Sequence, residues 1–168
     1  MSISNLFTPN IYELFCNSLT TNIPIIDYNI SGYYNKSLTQ IVQNNLNSIV
    51  YFNPVSEISS VTYNNGIFNI NRGGVYSFTY TIIWDTTSGG SREIFFFINQ
   101  SIGTITQKYQ SSNIPSNSSI NIFNSNTLVS HFNTGDTVGV AAYQSSGSTA
   151  NIVNLPPNNC QLIVSRLS

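Results

Sequence analysis

Between Gly74 and Trp84 the chain reads Gly-Val-Tyr-Ser-Phe-Thr-Tyr-Thr-Ile-Ile-Trp, and no other stretch restricts its fold so strongly. With side chains alternating between faces, Tyr76, Phe78, Tyr80, Ile82 and Trp84 stand on one side of a strand and Val75, Ser77, Thr79, Thr81 and Ile83 on the other. A helix would scatter the same aromatic residues around its axis. Burying one large aliphatic or aromatic side chain contributes roughly 1.5–3 kcal/mol, so a full row of them predicts the central strand of a β-sandwich.

The rest of the chain from Ser48 onward falls into short alternating segments separated by turn residues. Strands are predicted near residues 48–53, 57–63, 67–71, 74–84, 93–99, 103–109, 119–123, 127–132, 137–144 and 160–167. Between them lie Asn64-Asn65-Gly66, Arg72-Gly73-Gly74, Thr87-Ser88-Gly89-Gly90, Asn133-Thr134-Gly135-Asp136 and Ser145-Ser146-Gly147, which supply the positive φ angles that tight reversals need. A chain of 168 residues holds one such domain with a short appendage.

The appendage is read as residues 1–45, an arm or anchor, with the head at 46–168. Asn10 is followed three residues later by Glu13, and Ile11, Leu14, Phe15 and Leu19 recur at helical spacing, which predicts a short amphipathic helix. A helix of that length is marginal alone, so Ile11, Leu14 and Phe15 are its docking residues, toward the domain or a partner. Residues 20–45, rich in Asn and Thr and interrupted by Pro24 and Gly32, read as an extended segment with one strand near 23–28.

Charged residues make up only 7% of the chain and net charge is −1, which removes the attraction on which nucleic-acid affinity depends and sets anionic membrane surfaces aside too. No run reaches the ~18–20 apolar residues of a membrane span. The first twenty residues carry Pro9 and Glu13 and no basic cluster, so no signal peptide is read there. Cys16 and Cys160 lie at opposite ends without partners at metal-site spacing and read as unpaired thiols in a reducing compartment.

Two strands bear on assembly. In residues 93–99, Ile94, Phe96 and Ile98 occupy one face and Phe95 and Phe97 the other, whereas a sandwich strand ordinarily wets one face. In residues 138–143, Gly139, Ala141 and Ala142 leave room for another backbone. The predicted cover is a neighbouring subunit, with Phe95, Phe97, Gly139, Ala141 and Tyr143 at a trimer interface; the other cover considered is residues 1–45 folded back over the sheet.

Phe68, then five residues, then Gly74-x-Tyr76-x-Phe78-x-Tyr80, is similar to the second half of the signature of the globular head of complement component 1 subcomponent q. Tyr63-Asn64-Asn65-Gly66-Ile67-Phe68 looks like the turn into that signature, residues 128–140 with Gly135-Asp136 resemble its later turn, and residues 160–167 its closing strand. The resemblance spans roughly 48–168; Val61 departs from it, standing where an aromatic residue or Leu is expected. It implies an all-β, ten-stranded jelly-roll β-sandwich of the tumour necrosis factor-like kind, assembled as a homotrimer. Heads of this shape in Asn-rich chains look like virion proteins of large DNA viruses and virophages.

Catalytic groups are not in evidence. His131 is the only histidine, in an alternating strand, and there is no G-x-S-x-G, H-E-x-x-H, paired C-x-x-C or P-loop. Of the six acids, Glu13, Asp27, Glu57, Asp85, Glu93 and Asp136, none are neighbours, and Asp85 and Asp136 read as turn residues. The sequence therefore predicts no catalytic, metal or cofactor site. It predicts a non-enzymatic virion attachment or minor capsid protein, a self-associating fibre head whose arm engages capsid proteins and whose loops at residues 84–90 and 109–119 meet a host glycan or protein. The alternative is an extracellular ligand for a protein receptor.

Overall fold

The computed structural model describes residues 31–86, 89–115, 119–156 and 159–168. They form the strands β1 (Ser31–Asn35), β2 (Gln40–Val42), β3 (Ser48–Ile49), β4 (Asn53–Ser56), β5 (Val61–Asn64), β6 (Ile67–Ile70), β7 (Gly74–Trp84), β8 (Ser91–Ile98), β9 (Tyr109–Pro115), β10 (Ile122–Phe132), β11 (Thr137–Gln144), β12 (Ala150–Ile152) and β13 (Gln161–Arg166), with one 3-10 turn at Ile102–Thr104. All pairings are antiparallel. The first sheet runs β2-β12-β7-β13-β1-β4 with β10 also on β7, and the second runs β5-β6-β11-β8-β9 with β3 also on β11. Among the described residues no helix is long and apolar enough to cross a membrane.

The alternation in β7 appears as predicted except at Ile83, which is fully buried although it was assigned to the outer face. Tyr76, Phe78, Tyr80, Ile82 and Trp84 are all fully buried between the sheets, while Val75, Ser77, Thr79 and Thr81 remain half-exposed. Phe78 is surrounded by aromatic rings, with centroids 5.6 Å to Phe68, 5.7 Å to Phe132 and 6.4 Å to Phe96, each tilted towards the edge-on geometry that ring quadrupoles prefer. Tyr80 satisfies its hydroxyl by donating to the Ile94 carbonyl at 2.9 Å and Tyr76 by donating to the Arg72 carbonyl at 2.5 Å, so both phenols are buried without leaving a donor unmet. The Asn65-Gly66 reversal between β5 and β6 has both residues at positive φ, 48° and 84°.

The expected arm is shorter than its assigned 45 residues. β1 lies between β13 and β4 in the first sheet and β2 pairs with β12, so residues 31–42 belong to the sandwich. The physical reason is Tyr34, fully buried with its ring 5.0 Å from Phe68 and nearly perpendicular to it. The expected strand at 23–28, the helix with Ile11, Leu14 and Phe15, and Cys16 lie outside the described residues.

Other strand assignments also change: in place of the strands expected at 48–53 and 57–63 stand β3 (Ser48–Ile49), β4 (Asn53–Ser56) and β5 (Val61–Asn64). Residues 103–109 do not form a strand; the 3-10 turn and an irregular segment precede β9. Gln100 folds that segment back, its Oε1 accepting from Thr106 N at 2.7 Å and Gln107 N at 3.2 Å and its Nε2 donating to the Gln107 carbonyl at 3.0 Å. The two strands expected at 119–123 and 127–132 are one, β10, registered along the whole of β7 from Ile122 opposite Trp84 to Phe132 opposite Gly74. β12 was not expected at all.

Candidate functional site: an uncharged outer sheet face

The residues predicted at a subunit interface are covered within the chain. Phe95, Phe97 and Ala141 are buried on the outer side of the second sheet, packed against Ile49, Ile67, Ile102, Ile105 and Tyr143. Among the described residues the cover is β3, the start of β6 and the segment around the 3-10 turn. Gly139 is small for the same reason: a Cβ there would overlap the Phe97 ring. Lys108 completes the cover, its Nζ 4.5 Å from the Phe95 ring centre and 5.2 Å from that of Tyr143, while pairing with Glu93 Oε2 at 2.6 Å.

The sheet face left open is the outer side of the first sheet. Its outward positions are Tyr33 on β1, Ile163 and Ser165 on β13, Val75, Ser77, Thr79 and Thr81 on β7, and Phe123, Ser125, Thr127, Val129 and His131 on β10, aligned by the pairings Tyr33 to Ile163, Ile163 to Thr79 and Thr79 to Thr127. Phe123, near the start of β10, and Val129, within it, are 48% and 56% exposed, although the residues of a wetted sheet face are ordinarily polar. No Lys, Arg, Asp or Glu stands among these positions. The hydroxyls satisfy one another: Thr79 with Thr127 at 2.9 Å, Thr81 with Ser125 at 3.3 Å, and Ser31 with Ser165 at 2.8 Å. Covering this face would therefore strip water from few unmet polar groups and no ion, the two terms that make burial costly.

Of the loops expected to meet a host at residues 84–90 and 109–119, the second is mostly strand, since Tyr109–Pro115 is β9, and the aromatic residue at the start of each turns inward. Trp84 is fully buried, its Nε1 donating to Asn124 Oδ1 at 3.0 Å, and Tyr109 is half-buried against the main core. Arg92, also fully buried, sets its guanidinium 5.6 Å from the Trp84 ring, and burial lowers its pKa. Asp136 serves its turn, as read, whereas Asp85 bonds across strands to Asn151 on β12. Asp85 accepts from Asn151 Nδ2 at 2.7 Å; Asp136 accepts from the Asn133 N–H at 2.7 Å and from Asn99 Nδ2 at 2.8 Å, contacts that hold its pKa below the ordinary value. Among the described residues no three His, Cys, Asp or Glu side chains gather as metal ligands would. His131 lies exposed on β10.

Sequence reasoning missed several buried polar groups, Lys36 and Cys160 among them. Lys36 is 5% exposed, with Nζ donating to Gln40 Oε1 at 2.8 Å and to the Tyr51 carbonyl at 3.1 Å, and burial pushes its pKa down to about 8. Nothing in its Asn-rich surroundings marks it as buried. Cys160 is a free, buried thiol that donates to the Val153 carbonyl at 3.1 Å, its pKa raised by burial.

No family model and no curated protein matches this sequence. Solved structures do match its shape. Murine APRIL superimposes with a TM-score of 0.62 at 12% identity, over 82% of this chain and 98% of that one. Eiger TNF from S. frugiperda gives 0.61 at 14% identity over 83% and 92%, and the globular domain of zebrafish complement 1qA protein gives 0.56 at 15% identity over 82% and 97%. The chain thus has the tumour necrosis factor-like jelly-roll fold shared by these ligand and complement domains.

Proposed function

We propose that this chain is a non-enzymatic head domain that assembles as a homotrimer through the outer face of its first sheet and serves as an attachment or minor capsid component of a virion. The observation that carries the reading is the exposure of Phe123 and Val129 on a regular sheet face that holds no Lys, Arg, Asp or Glu. Three-fold assembly is what the resemblance to the complement and tumour necrosis factor heads implies. The virion setting is supported by composition: with 7% charged residues, the surface is carried by Asn, Ser, Thr and Gln, as suits a stable particle. The test is to place a charge on the face. Thr79→Lys and Val129→Lys, each burying an unpaired ammonium in the assembly, are expected to give folded monomers, whereas Gln43→Lys, away from the face, keeps the parental mass. Parental mass in both face variants would refute assembly through this surface.

A further inference from the structure

We propose that the groove between β2, β3 and the 3-10 turn binds a neutral saccharide residue bearing a methyl group, such as a 6-deoxyhexose or an N-acetylhexosamine. The groove holds about 380 Å³ and is lined by Gln40, Ile41, Asn47, Ser48, Tyr51 and Ile102 together with Ile49. That volume lies in the range of small-ligand sites. The proposal goes beyond the assembly reading and does not rest on it, because none of these residues is among the outward positions named on β1, β13, β7 and β10.

Three features select the ligand class. First, no charged side chain lines the groove, and the nearby Lys36 ammonium is buried and already donates to Gln40 Oε1 and the Tyr51 carbonyl, so the ligand is neutral. Second, polar and apolar groups are interleaved. The Tyr51 ring is 51% exposed and braced against Gly66, with Cδ1 and Cε1 each 3.4 Å from where a Cβ on that glycine would lie. Beside it the Asn47 amide, the Ser48 hydroxyl and the Tyr51 hydroxyl have no hydrogen-bond partner among the described residues. A pyranose meets both needs, with C–H groups for the ring and hydroxyls for the polar atoms. Ile41, 60% exposed, and Ile102 supply an apolar wall for the methyl group.

Third, an extended peptide is disfavoured. The free edge of residues 49–51 that an added strand would use is already occupied by Gln40, whose Nε2 donates to the Ile49 carbonyl at 2.5 Å and whose Oε1 accepts from Tyr51 N at 3.2 Å. Both lone pairs of that amide oxygen are taken, by Tyr51 N and Lys36 Nζ, which locks its plane and leaves the second N–H of Nε2 for a ligand.

The experiment is saturation-transfer NMR on the full chain with methyl α-fucoside and methyl N-acetylglucosaminide as probes. Transfer is expected to be strongest at the methyl protons of at least one probe, with a dissociation constant on the order of millimolar. Tyr51→Ala and Asn47→Ala should each weaken binding by about tenfold, while Tyr51→Phe, which keeps the ring, retains most of it. Melting curves of the same variants show whether they fold, and Tyr51→Phe supplies the reading if Tyr51→Ala does not. No transfer from either probe, equal transfer in a folded Tyr51→Ala, or occupation of the groove by a synthetic peptide of residues 10–19 in place of sugar would each overturn the proposal.

Discussion

The outer end of the Phe97 ring fills the space in which residue 139 would carry a Cβ, so β8 and β11 approach as they do only because Gly139 has none. The glycine serves the chain's own packing, not a neighbour's backbone. Gly139→Ala is therefore expected to destabilise the head by about 1–3 kcal/mol through overpacking, and Phe97→Ala by about 3–5 kcal/mol through the cavity it leaves. Urea denaturation measures both. A Gly139→Ala protein of parental stability but lower oligomer mass would return this cluster to a subunit interface.

Truncation separates the arm from the fold. Removing residues 1–45 takes away β1 and β2 and with them Tyr34 and Val42, both fully buried, so the product should fail to fold. Removing only residues 1–30 leaves every described strand intact and should preserve a cooperative melt. Circular dichroism distinguishes the two, and a cooperative melt in the longer deletion contradicts the assignment of β1 to the sandwich.

Stability should pass through a maximum on the alkaline side. Lys36 titrates near 8 in the native state, its charged form disfavoured by burial, against ~10.4 unfolded. The unfolded chain thus binds the extra proton between those values, and stability rises with pH across that window by up to roughly 3 kcal/mol. Tyr34 acts in the opposite sense. Burial, then the charge of Glu57, pushes its pKa up to about 12, so the native state keeps a proton that the unfolded chain has lost and stability falls above about pH 10. Chemical denaturation of the parent should show rise and fall, and Lys36→Met only the fall. A rise that persists in Lys36→Met assigns it to another group.

Asn124 is a buried bridge between the sheets. It accepts from Trp84 Nε1 at 3.0 Å and donates to the Ser112 carbonyl at 2.8 Å. Asn124→Ala leaves an indole N–H buried without its partner, at a cost of roughly 1–3 kcal/mol. Because Trp84 is the only tryptophan, its emission reports the change directly. Unaltered emission and melting temperature would show that the bridge is dispensable.

Asn124 also shows where the sequence stops being legible. β7 could be read because its aromatic residues obey a period of two and no other element competes for them; β6 and β13 followed from the same rule. In β10 the run Asn124-Ser125-Asn126 looks like a turn, yet Asn124 faces inward and is satisfied by Trp84 on the neighbouring strand and by Ser112 across the sandwich, partners 40 and 12 residues away. Local propensity cannot register such partners. The cover over Phe95 and Phe97 was hidden likewise, since Ile102 and Ile105 reach it through a turn whose shape is set by the Gln100 side chain. The open face was hidden by its modesty: Phe123 and Val129 sit among Ser and Thr and form a surface only once β10 is paired with β7.

Assembly is the central claim, and the mass of the purified full-length protein in solution by light scattering tests it most directly. The account predicts a particle of about three times the 18.5 kDa chain, held together at working concentration. A stable particle of 18.5 kDa would contradict it, and would mean that the outer face of the first sheet, with Phe123 and Val129 upon it, stays open to water.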